Sequence, residues 1–370
     1  GVTSPAPGRH VGDVADLTLE MLPAREGDCL LLSYHDPAAG LRRHVLIDGG
    51  RAGTWPHLKA RLERLPANER ALELLVVTHV DRDHIEGVLA MLGDPGCPVT
   101  FKDVWFNGYR HLLEDPSFGA VQGERLTALL LRGPWNEAFA GGAVCVPESG
   151  ELPVRALAGG LRLTLLSPDR AKLAELLPVW EEECRAAGIA PSTAASAAAV
   201  AVDDDDDDDV SFGPPPPAAD ADRPFRPDTA AANGSSIALL AEYGERRVLL
   251  AADAHPDLLA RSLASLGGGR PVRVDAWKVA HHGSANNTST ELLRLVSCPR
   301  YLISTSGAYF KHPSGAAIAR ILRDGRPTRL VFNYRTASTR PWGEPGVCGE
   351  WNYEAVYCRD DEPGAVCVEL

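Results

Sequence analysis

The apolar run Leu72 to Val77 ends in Thr78-His79-Val80-Asp81-Arg82-Asp83-His84, so a buried strand leads straight into a turn crowded with imidazoles and carboxylates. Few folds call for that. A short run rich in leucine and valine reads as a strand covered on both faces, and a helix start needs at most one of these acids, Asp83 as N-cap. Both histidines and the second aspartate are left without a structural reason. In His79-x-Asp81-x-Asp83-His84 oxygen and imidazole donors can converge on one point, which is what chelation requires. Neutral imidazole suits zinc and its neighbours, and a carboxylate can bridge two ions about 3.5–4 Å apart.

Two later stretches repeat the arrangement. Asp253 follows the apolar strand Val248 to Ala252, where a carboxylate is wasteful unless bound, and it reads as a bridging ligand. His281-His282-Gly283-Ser284 follows the strand through Val279, and one of the two histidines is expected to be a ligand. Taken singly, Asp253 is an ordinary helix-start residue and the pair an ordinary surface feature. At successive strand ends they read together as metal ligands.

Strands are expected at Leu17 to Leu22, Cys29 to Tyr34, His44 to Asp48, Leu72 to Thr78, Ser236 to Leu240, Arg247 to Ala252, Val274 to Val279 and Tyr301 to Ser304. Helical patterns lie at His57 to Leu65, His255 to Leu266, Thr290 to Leu295 and Ser314 to Leu322. Between the two halves, residues 190–229 combine Ala/Ser/Thr runs, the aspartates Asp203 to Asp209 and the prolines Pro214 to Pro217, and cannot build a core. A disordered acidic and proline-rich insertion within one domain spanning 1–370 is expected, giving a four-layer αββα sandwich. Its plainest role is a solvated linker; it is also a candidate surface for a protein partner.

The formal charge is −13, of which Asp203 to Asp209 supply −7, leaving −6 for the rest. That balance disfavours sequence-independent binding to long duplexes, whereas a small phosphodiester or short nucleic acid can be met by bound cations. Eight scattered cysteines without a C-x-x-C spacing read as free thiols, although a Cys348–Cys358 or Cys358–Cys367 bridge is conceivable on spacing. No run approaches the roughly 18 apolar residues that cross a bilayer, so a soluble, cytoplasmic protein without a membrane partner is expected.

Across nearly its whole length the chain resembles the metallo-β-lactamase superfamily, and within it the branch typified by the hydrolase domain of the competence protein ComEC. The resemblance is carried by Glu26-Gly27-Asp28-Cys29, Leu46-Ile47-Asp48-Gly49-Gly50, Thr78 to Gly87, Asn233-Gly234-Ser235-Ser236, Leu249 to Asp253, Trp277 to Ser284 and His312-Pro313. It implies that His79 and Asp81 hold a first metal, Asp83 and His84 a second, Asp253 lies between them, and His281 or His282 completes the second site. Asp81 departs from the superfamily's commonest pattern, where histidine stands, and no histidine ligand is evident between Asp83 and Asp253.

The function expected is metal-dependent hydrolysis, with water activated by two ions, zinc or alternatively manganese. Asp83 would also orient that water, and His312 would contact the scissile group or protonate the leaving oxygen. A phosphodiesterase or nuclease follows from the resemblance to the ComEC-like branch. The alternatives are hydrolysis of another ester, a lactone or a lactam, and a non-catalytic regulatory module of a bacterial defence system. Lys278 is assigned no chemistry.

Overall fold

The computed structural model describes residues 16–113, 121–131, 133–188 and 220–370. Two sheets dominate it. The first is built from β1 (Leu17–Met21), β2 (Leu30–Asp36), β3 (Leu41–Ile47), β4 (Leu74–Val76), β5 (Val104–Trp105) and a strand from the end of the chain, Val366–Glu369, which pairs with β1. β1 to β3 form an antiparallel meander, and β3, β4 and β5 run parallel. The second contains β6 (Val154–Ala156), β7 (Arg162–Ser167), β8 (Ala238–Tyr243), β9 (Arg246–Leu250), β10 (Ala276–Lys278), β11 (Arg300–Ile303), β12 (Arg329–Phe332) and β13 (Glu354–Tyr357). Its β9 to β13 half is parallel and its β6 to β9 half antiparallel.

Alternation along the strands stacks the layers, because residues i and i+2 share a face. Leu30 and Leu32 of β2, Val45 and Ile47 of β3, and Leu74 and Val76 of β4 meet Leu239 of β8, Val248 and Leu250 of β9, and Leu302 of β11 between the sheets. The intervening Leu31, Leu46 and Leu75 point outward, beneath α1 (Trp55–Glu63), α2 (Arg82–Gly93), α3 (Val121–Leu130) and α4 (Arg170–Ala186). On the opposite outer face Leu249, Trp277, Tyr301 and Ile303 pack under α5 (Pro256–Gly267), α6 (Thr290–Arg294) and α7 (Gly315–Arg320). This is the four-layer αββα sandwich.

Most sequence-expected elements are present, shifted by a few residues at their ends. The strands β5 to β7, β12 and β13 and the helices α3 and α4 add to the elements expected from sequence; of these, β5 has only two residues and β6 three, too short for alternation to register. β7 and β8, on either side of the acidic stretch, are adjacent antiparallel strands. Residues 190–219 of that stretch lie outside the described residues. Residues 220–229 are described, with Asp220 and Ala221 buried against the fold. All eight cysteines are free, so neither conceivable bridge is formed. No helix among the described residues is long and apolar enough to cross a membrane.

Candidate metal centre

The parallel strands β3, β4, β9 and β10 end on one edge of the sandwich, where open α/β sheets place their ligands. Of these, β3, β9 and β10 end in a strained turn. Asp48 after β3, Ala252 after β9, and His281 and His282 after β10 all have positive φ, at 57°, 49°, 45° and 54°. Such conformations cost of order 1–3 kcal/mol each and persist only where surrounding structure enforces them. Helix α2 then presses its first turn onto the turn after β3. A Cβ on Gly87 would stand 1.8 Å from the Gly49 carbonyl oxygen, so only glycine allows this approach. The approach brings His84 over Asp48.

The structure brings His79, Asp81, Asp83, His84, Asp253, His281 and His282 together. Asp253 Oδ2 is the hub, lying 3.9 Å from His79 Nε2, 3.4 Å from His84 Nε2, 3.8 Å from His281 Nε2 and 3.5 Å from His282 Nε2. Asp81 Oδ2 is 3.4 Å from His79 Nε2. Asp83 Oδ2 is 3.5 Å from His282 Nε2 and 3.7 Å from His84 Nε2. Sequence left the choice between His281 and His282 open, and both reach Asp253. Asp81, not Asp83, occupies the N-cap position of α2, and its side chain makes no capping bond. Nor does Asp253 start a helix, since α5 is capped at His255.

The outward nitrogens fix what the inward ones can do. His282 Nδ1 donates to the Ser304 carbonyl oxygen at 2.9 Å, and a carbonyl can only accept, so Nδ1 carries the proton. His84 Nδ1 likewise donates to Asp48 Oδ2 at 2.8 Å. Thr78 Oγ1 spends its one proton on Asp48 Oδ2 at 2.7 Å and therefore accepts from His79 Nδ1 at 2.9 Å. The Asn287 amide nitrogen faces only acceptors, so its oxygen is the atom that accepts from His281 Nδ1 at 2.9 Å. Four imidazoles thus keep their Nδ1 protons on outer acceptors and turn Nε2, the position open to a proton or a metal ion, toward one buried carboxylate oxygen.

Lone pairs facing an anion repel unless a cation lies between. His79 Nε2, Asp81 Oδ1, Asp253 Oδ1 and Asp28 Oδ1 are moreover buried without a hydrogen-bond partner. The donor set therefore fits divalent metal ions, whose imidazole ligands characteristically give their second N–H to a carboxylate or carbonyl. His79, His84 and Asp253 form one group with donor atoms within 4.8 Å of one another, and Asp83, His84 and His282 form a second. Without a metal, protons would fill the gap. Burial by itself lowers these imidazoles, but the surrounding carboxylates, Asp253 foremost, override it for His84, His281 and His282, and His281 is raised to about 9. Against the raising effect of burial, the imidazoles hold Asp253 and Asp83 well below the usual carboxylate range.

His312 is buried beside the cluster, its ring centroid 5.3 Å from that of His281. Burial, then the charges of His281 and His282, push its pKa well below the ordinary value. Lys278 is fully buried and pairs with Asp28 Oδ2 at 2.8 Å, while Asp28 Oδ1 approaches His282 Nδ1 at 3.6 Å. Sequence reasoning missed the outer partners Asp28, Asp48, Asn287 and Asp228. The first two sit in turn motifs that the resemblance quotes, which was the available signal. Asp228 carried none, because its surroundings read as linker.

Fold and site together define an αββα sandwich with a buried imidazole and carboxylate cluster able to hold metal. No family model matches the sequence, and no curated protein matches it. Among solved structures, CmlA, a diiron beta-hydroxylase from Streptomyces venezuelae, is similar with a TM-score of 0.37 and 14% identity, over 99% of this chain and 55% of that one. The chain thus spans about half the length of the hydroxylase. The metallo-beta-lactamase SMB-1 bound to 2-mercaptoethanesulfonate is similar with a TM-score of 0.29 and 12% identity, over 82% of this chain and 92% of that one. At these values neither carries an argument about chemistry, which rests on the site itself.

Proposed function

We propose that this protein is a metal-dependent hydrolase with a dinuclear centre, and that its substrate is a small phosphodiester or short nucleic acid. One observation carries the hydrolase reading: four imidazoles, each with Nδ1 spent on an outer acceptor, aim Nε2 at Asp253 Oδ2 from 3.4 to 3.9 Å. His79 and Asp81 would hold one ion, Asp83, His84 and His282 the other, with Asp253 shared and His281 beside it. Zinc suits the imidazole-rich set, with manganese as the alternative. Bound ions would supply a water of lowered pKa and positive charge opposite the developing oxyanion.

The chain's own groups divide the remaining work. Asp83 is the cluster carboxylate with the greater exposure, 13% of its side chain against 3% for Asp253. It is ionised at neutral pH and can accept a hydrogen bond from an incoming water. His312, held neutral, is suited to donating or accepting a hydrogen bond at the substrate rather than to protonating the leaving oxygen. Asp48, through His84 and Thr78, keeps two imidazoles in the ligating tautomer. The choice of a phosphodiester is supported by the sequence resemblance to the ComEC-like branch.

Elemental analysis coupled to a panel of a bis-aryl phosphodiester, single-stranded DNA, RNA, cyclic nucleotides and a β-lactam tests the reading. The expected result is up to two ions per chain and chelator-sensitive turnover of a phosphodiester. Turnover of the lactam alone would replace the substrate class. Absence of metal after incubation with zinc or manganese would overturn the hydrolase.

A further inference from the structure

Asp228 lies in a stretch that reads as linker, yet its side chain is 8% exposed and touches the metal cluster. Its Oδ2 sits 3.4 Å from His281 Nδ1 and accepts from the Asn287 and Asn233 amides, each at 2.9 Å. The Asn287 oxygen accepts from the same His281 Nδ1 at 2.9 Å, so carboxylate and amide together grip the outward face of that ring. Its Oδ1 accepts from the Ala230 backbone N–H at 2.9 Å and faces His255 Nε2 at 3.8 Å. His255 Nε2 donates to the Ala230 carbonyl, and its Nδ1 accepts a hydrogen bond from Lys172 Nζ at 3.0 Å. Lys172 belongs to α4, which precedes residues 189–219 in the chain, and Asp228 follows them.

The same stretch is fastened along its length. The Asp228 N–H donates to the Asn286 carbonyl at 3.0 Å. The buried Arg320 guanidinium donates to the carbonyls of Ala285, Thr288 and Arg223 and lies over the Phe225 ring. Asn286 and Asn287 directly follow the turn that carries His281 and His282. The backbone that holds residues 220–230 is therefore the backbone that aims the two imidazoles.

We propose that Asp228 is a positioning residue of the metal centre and that through it ion binding and the docking of residues 220–230 favour each other. The proposal rests on the cluster being a metal site. A carboxylate behind a ligating imidazole orients the ring and raises its basicity, and its loss typically costs about 10–100-fold in affinity. Linkage then requires the reverse: an ion that draws on the Asp228 contact stabilises the segment presenting it.

Zn²⁺ alone, added to the metal-stripped full chain, is the probe, read by competition with a chromophoric chelator and by amide hydrogen exchange. In the wild type, Zn²⁺ should slow exchange of the Asp228 and Ala230 amides about tenfold or more. Asp228→Asn should bind Zn²⁺ roughly 10–100-fold more weakly and lose that protection. Asp228→Glu, which keeps a carboxylate facing the same ring nitrogen, should recover most of the affinity that Asp228→Asn loses. Wild-type protein that binds Zn²⁺ without protecting these amides, Asp228→Asn that binds as tightly as wild type, or Asp228→Glu that binds no tighter than Asp228→Asn would overturn the coupling. Wild-type protein that binds no Zn²⁺ at all would instead overturn the metal centre itself.

Discussion

Replacing Asp48 by asparagine changes two imidazoles at once. The Asp48 carboxylate accepts three hydrogen bonds: Oδ1 takes the Thr78 backbone N–H at 2.8 Å, and Oδ2 takes Thr78 Oγ1 at 2.7 Å and His84 Nδ1 at 2.8 Å. An asparagine amide has one oxygen for these three donors. With that oxygen kept on the Thr78 N–H, the amide NH₂ faces Thr78 Oγ1 and His84 Nδ1. Thr78 then turns its proton to His79 Nδ1, and both His79 and His84 move their protons to Nε2, where they no longer ligate. In the stripped protein the surrounding carboxylates, Asp48 among them, keep His84 protonated, so the variant must either release that proton or set Nδ1–H against the amide NH₂, and the apo Tm should fall as well. Metal binding must reverse the arrangement and leave the buried Thr78 N–H facing the amide NH₂. An orphaned buried donor costs about 1–3 kcal/mol, which is roughly 5- to 150-fold in affinity. Competition titration of Zn²⁺ against a chromophoric chelator, beside thermal melts of the stripped protein, measures both quantities. Affinity within twofold of wild type would refute the tautomer argument, as would a large drop in apo stability with unchanged affinity.

Asp253→Asn should abolish binding of at least one ion, since the hub oxygen serves all four imidazoles; metal content that stays at the wild-type value argues against a shared ligand. His312→Gln should lower kcat by up to about 10²- to 10³-fold if the ring donates a hydrogen bond to the substrate, with metal content unchanged, whereas lost metal would make it a ligand. Stripped protein should follow the titration of its cluster. His281, raised from 6.5 to about 9, stabilises fully below about pH 6.5, and that contribution is lost as pH rises through 9. Asp83 and Asp253, lowered from 3.8, stabilise above that value and lose their contribution as pH falls through their folded pKa values. Zinc competes for the same Nε2 positions, so the gap in Tm between zinc-loaded and chelated protein should widen from pH 5 to 9; a constant gap would contradict it. Gly87→Ala places a Cβ 1.8 Å from the Gly49 oxygen and should destabilise by about 1–3 kcal/mol or more, seen as a lower denaturant midpoint; an unchanged midpoint would show that α2 is free to shift.

By itself the sequence determined which imidazoles and carboxylates stand at the strand ends. His79 to His84, Asp253 and the His281-His282 pair are legible because polar ligands directly after apolar runs violate the usual pattern, and that violation is local. The β3, β4, β8 and β9 runs were legible for a related reason, since each is long enough, or apolar enough, for its burial to show. Tertiary structure alone decided the rest. That both His281 and His282 reach Asp253 depends on two consecutive left-handed residues, a backbone state composition does not encode. The tautomers depend on Asp48, Thr78, Ser304 and Asn287, which come from four separate turns. Asp228 joins the site from a stretch with no apolar pattern, held by backbone carbonyls and one buried arginine whose partners lie 32 to 97 residues away in sequence. Periodicity reports only on a residue's own element, whereas a ligand's outer partners are fixed by which elements the packed sheets and helices bring together.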